Sequence, residues 1–486
     1  MERLPGLNVA NFLEKKALLR AINCVAALSI FFFGYDQGMM GGVNNAKDYI
    51  DLMGFGHVDP ATEEPIISNS LLQARAVNGI GTGILNAIVP VWATETAEHT
   101  SRGKFIAIEF TLNIFGVVVA YWLEFGLSFI DHGNSAVRWR FPIAFQIIPL
   151  LALLASVWFF PESPRWLVKE GRDEEARYIL RRLRGSAGAD AARAEAEYQE
   201  IRQVVALETK ESRKNSYAHM LFGVGSGKLH TGRRVQLVIW LQILQEWVGI
   251  AGVTVYAPTI FRIAGYGTTK SQWISGLNNI FYMFATLICV FTLDRIGRRW
   301  TLYWGAVGQG AAMFLAGAFS RLGQQARASG NTSLAESYGA AAASFVFIFT
   351  SVFGATWLTV PWLYPAEIFP LQVRAKGNAW GVFGWSIGNG WLTLLCPVMF
   401  GAIGENTLHI FGACNVLAIP VVWALYPESN QRTLEEMDLL FAADSPWVWD
   451  AERTFARLKE ERSELAHATK ADRRVLDPEL TVSDHP

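Results

Sequence analysis

Apolar residues in this chain gather into long runs separated by short polar stretches. A bilayer core about 30 Å thick needs about twenty mostly apolar residues per helix, because lipid offers the backbone no hydrogen-bond partners. Ten runs meet that length, at 21–43, 72–94, 105–129, 139–160, 235–261, 273–293, 300–320, 340–365, 377–400 and 406–426. The pattern predicts an all-α membrane protein with about ten crossings. Between the fourth and fifth runs lie two charged stretches of helical character, "GRDEEARYILRRLRG" and "ADAARAEAEYQEIRQVVALE", too polar to enter lipid. The expected organisation is an N-terminal arm 1–20, a first membrane half 21–167 with four helices, a cytoplasmic helical linker 168–233, a second membrane half 234–440 with six helices, and a polar tail 441–486.

Composition agrees with lipid as the solvent. Charged residues are 17% of the chain, against roughly 25% in soluble domains, while hydrophobic residues reach 51% and aromatics 13%. The net charge of -1 argues against nucleic acid or any other polyanion as partner. Cys24, Cys289, Cys396 and Cys414 all lie in apolar stretches without CxxC or CxxH spacing, so they read as small packing residues rather than a disulfide or metal site. The first apolar run is too long for a signal-peptide core, and the first helix is expected to act as its own insertion signal.

Charge in the loops sets the orientation. The N-terminal arm carries Arg3, Lys15, Lys16 and Arg20, the loop 44–69 has only Lys47 among five acids, and 161–234 is densely basic. Lysine and arginine collect on the cytoplasmic side, which places both termini there. The sequon Asn331-Thr332-Ser333 then falls in an external loop.

Two distant passages share one punctuation. The first has Pro90, Glu95, Arg102 seven residues on, and Pro161-Glu162-Ser163 after two more apolar runs. The second has Tyr364, Pro365, Glu367, Arg374 seven residues on, and Pro427-Glu428-Ser429 after two more apolar runs. This ordered recurrence indicates duplicated halves. Counting back from the two glutamates exposes a difference: four helices precede Glu367 in the second half, but only two precede Glu95 in the first. The shortfall is roughly 55–60 residues, two helices and a turn, between the acidic loop 44–64 and Gln73. Losing an even number of crossings leaves every later loop on its proper side.

Six strings then carry a resemblance: "FGYDQG" (33–38), "RAVNGIGTG" (75–83), "PESPRWL" (161–167), "DRIGRRW" (294–300), "PAEIFPLQVRAKG" (365–377) and "PESNQRTLEEMD" (427–438). In order and spacing the chain resembles the sugar porter family of the major facilitator superfamily, in particular a fungal-type hexose or monosaccharide transporter. The resemblance implies two pseudo-symmetric helical halves around a central sugar site, alternating access, no cofactor, and a monomer in the lipid bilayer; the chain departs from the family in lacking its second and third helices and the turn between them.

Asp36 sits inside the first apolar run, where an ionised carboxylate costs several kcal/mol unless partnered, so a functional role is the default reading. The resemblance makes it the proton carrier and Arg75 its partner. Gln245 and Glu246 lie in "QEWVGIA", where the family has two glutamines that bind sugar hydroxyls; Glu246 and Ala251 depart from that pattern, and Gln242 lies one turn earlier. Trp362, beside Pro361, matches a tryptophan that stacks on the sugar, and Trp385 falls within a residue of another. Tyr121, Asn278 and Asn279 are further candidates near family positions. At the inner face, Glu95/Arg102, Glu162/Arg165, Asp294/Arg298, Glu367/Arg374 and Glu428/Arg432 are expected as gating ion pairs. The histidines show no catalytic or metal spacing, and "GVGSGKLHTG" lacks a P-loop pattern, so no enzyme is expected. The leading expectation is proton-coupled symport of a monosaccharide or similar polyhydroxylated solute across the plasma membrane. The alternatives are a facilitative carrier of a polyol or cyclic acid, or a shortened, non-transporting isoform or sensor-like paralogue.

Overall fold

The computed structural model describes residues 8–43, 102–130, 135–211, 216–224, 230–370, 373–430, 432, 434–443 and 445–460, with short pieces at 49, 52, 56–58, 65–67, 83, 88–89, 92–93 and 95–96. The run 72–94 and the join at 68–76 therefore lie almost wholly outside the described residues. The first half contains α1 (Lys15–Val43), then β1 (Gly56–Val58) paired antiparallel with β2 (Pro65–Ile67), then α2 (Arg102–Leu127). Next come α3 (Val137–Phe145) and α4 (Ile147–Phe159), which form one interrupted crossing. Pro149 has no N–H to return to the carbonyl four residues back, and the helix resets at Gln146.

The polar linker folds as α5 (Pro164–Lys169), α6 (Asp173–Arg184), α7 (Gly188–Glu211) and α8 (Tyr217–Phe222). Its charged sequence hides an apolar stripe: Ile179, Leu180 and Leu183 pack with Leu167, Tyr198 and, from the start of the chain, Ala10, Leu18 and Ile22. Lys15 reaches Asp190 at 2.8 Å, Arg182 pairs with Glu14, and Arg184 with Glu197 at 2.8 Å. The N-terminal arm is thus bound to the linker helices.

The second half runs through α9 (Thr231–Gln245), a π-turn (Glu246–Ile250) and α10 (Ala251–Ile263). It continues with α11 (Thr268–Ile296), α12 (Arg298–Ala328), α13 (Thr332–Ala355), α14 (Val360–Ile368), α15 (Arg374–Ile403) and α16 (Asn406–Leu425), and α17 (Leu434–Phe441) follows. Among the described residues eight helical stretches are long and apolar enough to cross a membrane: Lys15–Met39, Ile108–Leu127, Val137–Phe159, Thr231–Ile263, Thr268–Ile296, Thr332–Ile368, Arg374–Ile403 and Asn406–Leu425. The run at 300–320 is the 31-residue α12, long enough to cross but more polar; Gln309 and Ser320 are buried on its inner face.

Glycines let the backbones approach where the halves are tightest. A Cβ at Gly34 of α1 would lie 1.9 Å from the Asn113 carbonyl oxygen of α2, and one at Gly384 of α15 would lie 2.7 Å from the Ile239 oxygen of α9. In lipid, where apolar surface supplies no drive of its own, such close packing holds helices together. Between the halves, α2 packs on α11, and Thr111 hydrogen-bonds Thr286 at 2.9 Å.

Candidate functional site

The π-turn supplies the first element of the site. Gly249 has φ 115°, a conformation that favours glycine, and a Cβ there would meet the Phe411 ring at 2.9 Å. The turn breaks the regular ladder just after Gln242 and Gln245, so these side chains face the other interrupted segment, between α13 and α14. Gln242 Nε2 donates to the Pro361 carbonyl at 3.1 Å, and Gln245 Nε2 donates to Trp357 and Leu358 carbonyls at 2.8 and 3.0 Å. The expected hydroxyl-binding amides therefore use their donors on backbone left bare by the helix break. Their Oε1 atoms, both buried, have no hydrogen-bond partner among the described residues. Glu246 opens the π-turn with its carboxylate against the Trp385 indole.

An aromatic chain links the halves at the same level. Trp362 of α14 lies 5.8 Å from Trp385 of α15, 5.7 Å from Phe110 of α2, and Trp385 lies 5.9 Å from Phe33 of α1, all between ring centroids. Trp362 and Trp385, read from separate motifs, are brought together; Phe33 and Phe110 were not foreseen, since an aromatic in an apolar run has no distinguishing mark. Of the remaining candidates, Tyr121 faces Ser275 of α11. Asn278 Oδ1 accepts from Thr350 Oγ1 at 2.7 Å, while the buried Asn279 leaves Nδ2 without a partner.

Asp36 is 9% exposed and accepts from Gln146 Nε2 at 2.9 Å. Gln146 sits where α3 gives way to α4; a glutamine within an apolar run is the signal that would have found it. Arg75, the expected partner of Asp36, lies outside the described residues. Glu109 of α2, 4% exposed with Oε1 unpartnered, is a second buried carboxylate that sequence reading passed over.

At the end of the bundle that carries the polar linker, the two halves repeat one another in bonds as well as in letters. Ser163 Oγ donates to Glu95 at 2.5 Å and Trp92 Nε1 to the Pro161 carbonyl at 3.1 Å; Ser429 Oγ donates to Glu367 at 2.6 Å and the Tyr364 hydroxyl to the Pro427 carbonyl at 3.1 Å. In the second half Arg298 adds a bidentate contact, Nη2 to Glu367 at 2.6 Å and Nε at 3.1 Å, with Asp294 at 3.1 Å.

The expected pairing of Asp294 with Arg298 is present, but other motif partners differ. Glu367 takes Arg298 and Ser429 from two other motifs, and Arg374 Nε reaches the Phe369 carbonyl at 3.4 Å. Glu428 accepts backbone N–H groups of Arg298 and Arg299 at 2.9 and 3.0 Å, and Arg432 pairs with Glu452 at 2.8 Å. The reason is the positive N-terminal end of α12, whose first N–H groups have no partner within the helix and capture the carboxylate. Glu162 is exposed and lines a small cleft with Asn8 and Arg172, and Arg165 lies in α5. Arg102 starts α2, and its side chain lies outside the described residues.

The sequence profile of the family described as "Sugar (and other) transporter" matches residues 67–441. The Sugar transporter STL1 of Saccharomyces cerevisiae is 32% identical over 380 residues, covering 77% of this chain and 63% of the relative, so the match spans less than two thirds of that protein's length. The D-xylose-proton symporter of Escherichia coli K12 is 27% identical over 409 residues, covering 81% of this chain and 77% of the relative. The solved structure of the proton:xylose symporter XylE bound to 6-bromo-6-deoxy-D-glucose superposes with a TM-score of 0.60 at 24% identity, covering 87% of each chain. This chain belongs to the sugar transporter family and is a multi-pass membrane protein with the major facilitator fold.

Proposed function

We propose that the chain carries a monosaccharide or similar polyhydroxylated solute across the plasma membrane together with a proton, by alternating access, with both termini cytoplasmic. The observation that carries this reading is the carboxylate of Asp36, buried in α1 three residues from Phe33, whose ring joins the aromatic chain between the halves. A carboxylate there, alternating between a charged partner and a protonated state, links proton occupancy to conformation. The sugar and proton named for the E. coli relative support the same assignment. In this reading Arg75 pairs with the ionised Asp36, Trp362 and Trp385 present ring faces to the solute, and the Glu95–Ser163 and Glu367–Arg298–Ser429 contacts hold the inner face closed.

Labelled-sugar uptake into vesicles with an imposed proton gradient tests it. Accumulation is expected in the unaltered chain, and Asp36→Asn is expected to abolish accumulation while leaving sugar exchange. Unchanged accumulation in Asp36→Asn would refute proton coupling through this residue. The second reading, a non-transporting shortened form, is favoured by the two helices fewer before Glu95 than before Glu367. It predicts no uptake by this chain and uptake by a version with two helices restored between residues 64 and 73.

A further inference from the structure

Glu246 stands where the family resemblance leads one to expect an amide, and among the described residues no cation acts on it. The side chain is 5% exposed; the Trp385 indole N–H donates to its carboxylate, the Tyr282 side chain lies within electrostatic range, and Gly388 of α15 lies against its Cβ and Cγ. A carboxylate taken out of water needs either a positive partner or a proton. The hydrogen-bonding balance around it is also one-sided. Both Gln242 and Gln245 have their Nε2 groups on backbone carbonyls, which among the described residues leaves their buried Oε1 acceptors without donors, against one unpaired donor, Asn279 Nδ2, on α11.

The neutral hydroxyls of a simple sugar both donate and accept. An ammonium group carries three donors and no acceptor, which is what an excess of acceptors calls for. Ring faces draw a cation as well, and Trp385 continues into Trp362 and Phe110. Resting on the transport reading above, we propose that Glu246 selects a solute with a protonated amine on a polyhydroxylated frame, an amino sugar or amino polyol, whose ammonium lies against Glu246.

The test uses the purified full-length chain in lipid nanodiscs and follows tryptophan fluorescence during titration with glucosamine and, separately, with glucose, at a pH where the amine is protonated. Glucosamine is expected to bind about tenfold more tightly than glucose, the factor corresponding to one charge-assisted contact. Glu246→Gln is expected to remove that preference by weakening glucosamine, while Glu246→Asp keeps its sign. Equal binding of the two sugars by the unaltered chain, or a Glu246→Gln variant that retains the preference, would overturn the proposal. If glucose alone binds, sugar transport stands and the ammonium assignment falls. If neither sugar binds and neither is taken up, the transport reading itself fails and this inference falls with it.

Discussion

Replacing Glu367 with glutamine removes one charge from the network around Arg298 and changes little else in shape. The Arg298 side chain is 8% exposed and donates to Glu367 through Nη2 at 2.6 Å and Nε at 3.1 Å. Breaking a buried ion pair by removing one partner costs about 3–5 kcal/mol. Here Asp294 remains 3.1 Å from Arg298 Nη1 and Asn430 Oδ1 remains at 2.7 Å, and the glutamine keeps one acceptor, so about 2–3 kcal/mol is expected. Asp294→Asn removes a charge that is 68% exposed and should cost about 0–1 kcal/mol. Cys289 of α11 is fully buried close to this network and reports on its opening. With Cys24, Cys396 and Cys414 replaced by alanine, the alkylation rate of Cys289 follows the population of the opened inner face. Glu367→Gln should raise that rate roughly thirty- to a hundredfold, since each 1.4 kcal/mol is about tenfold, and Asp294→Asn by less than about fivefold. Equal factors for the two variants, or an unchanged rate in a Glu367→Gln protein that remains folded by gel filtration, would refute the claim that this pair holds the inner face closed.

Other outcomes follow from the packing and the rings. Gly384→Leu should lose folded yield in detergent, because its Cβ would fall 2.7 Å from a backbone oxygen of α9 that has nowhere to move, at a cost of about 3 kcal/mol; Gly390→Ala, where a Cβ meets nothing within 4 Å, should leave yield unchanged. Trp362→Ala should raise the half-saturating sugar concentration by about tenfold through the lost ring face, with Trp362→Phe recovering most of it in the same uptake assay. The Lys15 ammonium beside Asp190 holds that carboxyl below the usual aspartate range, so the contact is complete at neutral pH and is lost as pH falls through the lowered value. Hydrogen exchange at the first turn of α1 should therefore quicken on acidification, and Asp190→Asn should show the faster exchange at neutral pH as well.

Membrane spans were legible because lipid imposes a length on any helix that crosses it, and the boundaries read from apolar runs recur as α1, α2, the α3–α4 pair and the six crossings of the second half. The run at 300–320 recurs as α12, although it is more polar than the other crossings of its half. The duplicated halves were legible for another reason: Glu95 with Ser163 and Glu367 with Ser429 recur in order along the chain, and the bonds they make recur with them. Sugar-transporter membership followed from the same strings.

Partner choice was not legible. Motif spacing suggested Glu367 with Arg374 and Glu428 with Arg432, yet side chains a few residues apart across a helix end leave in different directions, and the free N–H groups of α12 offered Glu428 a better site. Nor did composition reveal which amide atoms in the central site remain available. That depended on where the α13–α14 break leaves carbonyls bare, and Gln242 and Gln245 turned their donors to them. A helical protein that crosses the membrane many times, the recurring motifs of its two halves and its family could be read from the chain alone, because these depend on local apolar length and on order along the chain. That Phe33, Phe110, Trp362 and Trp385 meet, and that Glu246 takes a hydrogen bond from Trp385, emerged only from the packed helices, because those contacts depend on segments as much as hundreds of residues apart lying at ångström distances.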